Sequence, residues 1–180
     1  DDYKDKIEQV LTMRTMDINE NVRLEALKAI IKTHTKCETS ELKDIVVDRL
    51  NDSDHRVRSL AISFIEDQST AIFSEPISFC QAVLKLVELT FDTYGSIRKR
   101  AIKCIQQLLL NKKRNMKEQE ENISDLLDHP TLKSNREYLK IIVGALLSAE
   151  GSEGVLNRLL EALLVTNINE GKILFAQLLV

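Results

Sequence analysis

The sequence predicts an all-α fold, an α-solenoid of about five stacked helical hairpins, on three observations. The stretch Asp17 to Ile30, DINENVRLEALKAI, returns at Asp52 to Ile65 as DSDHRVRSLAISFI and at Asp92 to Ile105 as DTYGSIRKRAIKCI. Successive Arg residues of these copies lie 35 and 40 residues apart, a period that belongs to repeats of one helical hairpin each. With only 5 Gly and 2 Pro in 180 residues, and Leu, Ile, Lys and Glu abundant, helix is favoured nearly everywhere.

The elements follow in order, in units of about 1–36, 37–68, 69–114, 115–149 and 150–180. In the first, Ile7, Val10 and Leu11 share a helical face, and Asp17 and Asn19 suit the N-terminus of a second helix. That helix puts Val22, Ala26, Leu27, Ile30 and Ile31 inward. The second unit pairs Ser40 to Leu50 with Val57 to Asp67, keeping Leu42, Val46, Ala61, Ile62 and Ile65 inside. The third pairs Ile77 to Phe91, with Val83, Leu84, Val87 and Phe91 apolar, with Ile97 to Leu110. Gly95 relieves the tight turn between them.

The fourth unit reads as a short helix Asn122 to Leu127, a break at Asp128 to Pro130, and a helix Ser134 to Ser148. Arg136 and Leu139 take the Arg and Ala places, while Pro130 stands where the Asp would be. A fifth unit begins at Ser152 and ends in ILFAQLLV. Because the chain starts without Met and stops inside an apolar helical pattern, we read it as an excerpt of a longer protein.

A single pair of short amphipathic helices cannot bury its apolar face, so the hairpins must stack and share a core. This gives the repeated residues their reasons. Val22, Val57 and Ile97 fill space between helices, and Ala26, Ala61 and Ala101 allow close approach. Asp17, Asp52 and Asp92 can accept backbone N–H groups at a helix start. Arg23, Arg58 and Arg98 can reach an Asp or a carbonyl of their own or a neighbouring unit, which stacking would align as a ladder.

An Asp, then Val-Arg, then a small residue resembles the opening of the second helix in HEAT repeats, an armadillo-like family. The resemblance covers Asp17 to Ile105 and continues beyond by spacing. It implies a scaffold or binding surface for other macromolecules, as in nuclear transport receptors, phosphatase scaffolds, RNA 3′-end processing scaffolds, tubulin-binding domains and cohesin or condensin regulators. LTMRTMDINENVRL followed by VVDRLNDSDHRVRSLA is similar to the cohesin-associated members.

Catalytic and metal signatures do not emerge. His34, His55 and His129 are far apart and lack zinc spacing, and neither a phosphate-binding glycine loop nor a nucleophile elbow occurs. The expectation is no enzyme and no cofactor. Cys37, Cys80 and Cys104 sit in apolar helical patterns without close pairing, which suits a reducing nucleus or cytoplasm. No apolar run reaches the length of a membrane span.

One charge feature stands out. Between Thr93 and Lys117 there is no acidic residue, while Lys99, Arg100, Lys103, Lys112, Lys113, Arg114 and Lys117 are basic. Such a run can hold phosphates or an acidic partner, or be a solvated helix face with cations favoured near its C-terminus. The first expectation is therefore a non-catalytic scaffold that takes a peptide or a helix of another protein in a solenoid groove. The alternative is a chromosome- or RNA-associated module contacting nucleic acid through 98–117.

Overall fold

The computed structural model describes residues 2–33, 40–68, 76–110 and 116–149, with 154 and 157. Among these residues all regular structure is helical: α1 (Asp2–Arg14), α2 (Glu20–Thr33), α3 (Ser40–Arg49), α4 (His55–Gln68), α5 (Pro76–Leu89), α6 (Gly95–Leu109), α7 (Met116–Asp128), α8 (Pro130–Ser134) and α9 (Arg136–Leu147). The fold is an all-α solenoid. Second helices of successive hairpins stack in the order α2, α4, α6, α9, and first helices stack as α3, α5, α7. The fifth expected unit, 150–180, lies outside the described residues, as do His34 and Cys37.

Each hairpin contributes its apolar face to one continuous core that runs from Leu27 to Leu146. Ala61 and Ala101 are fully buried, so a larger side chain at either has no free space to enter. Val57 and Ile97 are also inside, at 0% and 2% exposure. Val22, expected inside by the same pattern, is 37% exposed. The pattern is local, whereas burial needs a neighbour, and no unit precedes the first among the described residues. Ile7 and Val10 are exposed for the same reason.

The third and fourth units differ further from expectation. Phe91, expected as the last residue of the helix from Ile77, falls in the turn after α5 and is 63% exposed. The first helix of the fourth unit runs Met116–Asp128 instead of starting at Asn122, because KEQEE before that Asn is made of residues that carry a helix well. The expected helix Ser134 to Ser148 is α9, Arg136–Leu147, and a separate short helix precedes it. His129 accepts a hydrogen bond from the Thr131 amide and starts α8, and Asn135, with φ −126° and ψ 94°, ends it and caps α9. Unit four therefore connects its long helices through α8, and α9 packs against both α5 and α6.

Candidate functional site

The repeated Asp and Arg side chains form a regular polar feature of the turns between paired helices. Each Asp first organises its own turn: Oδ1 of Asp17, Asp52 and Asp92 accepts the amide of the residue two further on, at 3.0, 2.9 and 2.8 Å. The Arg six positions later closes the same turn from the other side. Nη1 of Arg23 donates to the carbonyls of Asp17 and Ile18, that of Arg58 to Asp52 and Ser53, and that of Arg98 to Asp92 and Thr93. The remaining guanidinium edge points to the next unit. Arg23 meets both carboxylate oxygens of Asp52, and Arg58 Nε meets Asp92 Oδ2 at 2.7 Å.

Geometry of this kind favours the ionised forms. Burial opposes charge on Asp52, but the hydrogen bonds from Arg23 and the Asp54 amide outweigh it and hold the carboxyl below its ordinary 3.8. Burial likewise opposes charge on Asp92, where Arg58 and the Tyr94 amide prevail.

The ladder stops at Arg98. Its next acceptor would stand at position 130, which is Pro130, and among the described residues Arg98 makes no ion pair. The same seam lacks apolar cover. Leu27 and Ile62, each four residues after the Arg of its unit, are 0% exposed, whereas the equivalent Ile102 is 37% exposed. Ile102 lines a groove of about 380 Å³ with Phe91, Ile141, Gly144 and Ala145.

Of the basic residues singled out in the sequence, those described differ in their partners. Arg100 turns inward to α4, donating to Glu66 Oε2 at 2.6 Å and to the hydroxyls of Ser59 and Ser63. Lys103 stands 3.9 Å from the same Glu66. Lys99 is exposed on α6. Lys112, Lys113 and Arg114 lie outside the described residues, and Lys117 is described only as part of the α7 backbone. The Arg100 network escaped the sequence reading, although Ser59, Ser63 and Glu66 share one polar face of α4 at helical spacing.

Other chemistry-bearing residues have local roles. His55 stacks on Tyr94 with ring centroids 4.2 Å apart, joining the turns of the second and third units. Cys80 and Cys104 are buried thiols, and burial pushes them up to about 11 and about 12. Among the described residues no cluster of His, Cys, Asp and Glu is arranged to hold a metal ion, and no helix is long and apolar enough to cross a membrane.

The family model for the sister chromatid cohesion protein PDS5 matches residues 9–131, more than half of the chain. The chain belongs to the PDS5 family. The matched span contains every rung of the ladder, from Asp17 to Arg98, and it ends just after Pro130 interrupts the pattern. No curated protein and no solved structure matches the chain. Within this PDS5-family chain, the first three units are thus joined by charge as well as by core, and the seam to the fourth is joined differently. There Gln106 donates to the Ala145 carbonyl at 2.8 Å and to the Ser148 hydroxyl at 3.0 Å.

Proposed function

We propose that the chain is a non-catalytic, protein-binding scaffold of the sister chromatid cohesion machinery, working in the nucleus as part of a cohesin-associated complex. The observation that carries this reading is the PDS5-family match over the stretch that builds the Asp/Arg ladder. A ladder of this kind fixes the angle between successive hairpins and so presents a surface of defined shape. Rigid presentation is what a scaffold supplies, because a preorganised surface loses little conformational freedom when it binds. The phosphate-binding alternative draws less from the geometry, since Arg100 is committed to Glu66.

The test is direct association. Purified cohesin is passed over the immobilised chain and over a copy carrying Arg23→Met and Arg58→Met. Retention by the first and weaker retention by the second is the expected result. Absence of retention by the unaltered chain contradicts the reading.

A further inference from the structure

The seam between the third and fourth units differs from the two seams before it in three ways, all at residues of α6. Among the described residues its Arg meets no Asp, and position 130, the Asp place of the next unit, is Pro130. The residue one helical turn further along the same face, Ile102, is uncovered and lines the apolar groove. The residue three before the Arg, a Glu in the first unit and a His in the second, is Gly95. A Cβ there would stand 3.3 Å from Arg98 Nη2, a tight contact with the end of a flexible side chain.

We infer that this seam receives an acidic-apolar segment of a partner protein. A carboxylate of the segment pairs with Arg98 as Asp52 pairs with Arg23, and a neighbouring aliphatic or aromatic side chain enters the groove beside Ile102, Ile141 and Gly144. The chain's own lower rungs argue for that occupant. Arg23 and Arg58 hold their own turns just as Arg98 does, each then takes a carboxylate from the next unit, and the apolar position one turn on is buried in both. Charge and shape thus ask for the same two features. A phosphate would satisfy the cation and leave the groove unused, whereas a peptide with one acidic and one large apolar side chain uses both. The fit of Gly144 is favourable, since nothing lies within 4 Å of where its Cβ would be. The inference deepens the scaffold reading above by assigning a binding seam to it.

The probe is a capped peptide of Gly and Ser carrying one Asp and, one helical turn on, one Leu. It is titrated into the isotopically labelled chain while the methyl signals of Ile102 and Ile141 and the Arg98 Nε–H are followed. Saturable shifts at all three are expected, with the Asp→Asn and Leu→Ser peptides each binding about tenfold more weakly. Arg98→Gln should remove the difference between the Asp and Asn peptides. Gly144→Leu, which fills the groove with a good helix former, should remove binding without lowering the unfolding temperature. Absence of saturable shifts, or equal binding of the Asp and Asn peptides, overturns the inference. The cohesin capture described above separates the two ideas: capture retained in full by Arg98→Gln and Gly144→Leu leaves the scaffold intact and removes this seam from it.

Discussion

Arg23 of the first unit donates from Nε and Nη2 to the two carboxylate oxygens of Asp52 in the second, at 2.8 and 2.7 Å. Both side chains are nearly out of water, at 10% and 2% exposure. Their pairing joins two hairpins that are also joined by core packing. A buried pair of this kind is specific chiefly because separating it leaves an uncompensated charge.

Acid should loosen this arrangement. The carboxyls of Asp52 and Asp92 lie below 3.8 in the fold, so their ionisation contributes stability that is fully present above that pH. The contribution is lost as the pH falls through the folded values, and Asp54, held at about 2 mainly by its hydrogen bonds from Arg56, titrates at the lower end of the same window. Denaturation midpoints measured from pH 5 downward should therefore fall between about 4 and about 2. An Asp52→Asn chain should show a shallower fall; an unchanged slope would count against the paired geometry.

Overpacking the core should be costly at the small positions. Ala61 is fully buried where α4 meets its neighbours, and Ala61→Leu should destabilise by about 1–3 kcal/mol. Thermal unfolding checks it. An unmoved transition would mean that the register of the second unit is wrong.

Thiol chemistry reports on the same core. Cys80 and Cys104 are buried, and their raised values leave little thiolate near neutral pH. In a Cys37→Ser chain, labelling by a thiol reagent should be slow and should follow the rate of unfolding. Rapid labelling of the folded chain would show that α5 and α6 open far more readily than their packing implies.

The sequence made much of this legible, and the exceptions share a cause. Repetition of Asp, Val-Arg and Ala located three of the second helices and most of the core, because those residues report on local geometry that is the same in each copy. What depends on the neighbouring unit was less visible. Val22 and Val57 have the same local pattern and opposite burial. Arg98 and Arg100 both sit in a basic run, yet one holds only its own turn and the other crosses to Glu66. The short helix α8 was missed because Asp128 to Pro130 reads as a break, although a Pro in the first turn also suits a helix start. The choice of an Arg between its own carbonyls and a neighbouring Asp could not be made from spacing alone. The structure gives it both.

The most direct measurement compares Arg23→Met, Arg58→Met and Arg98→Met by chemical denaturation under identical conditions. All three lose the carbonyl bonds of their own turn, and only the first two also take from a buried Asp its closest guanidinium, with Arg49 remaining 3.6 Å from Asp52. The expected result is a loss of about 3 kcal/mol for Arg23→Met and Arg58→Met, against about 1 kcal/mol for Arg98→Met. Equal losses in the three chains, or the largest loss at Arg98, would contradict a ladder that joins the first three units and stops at the seam to the fourth.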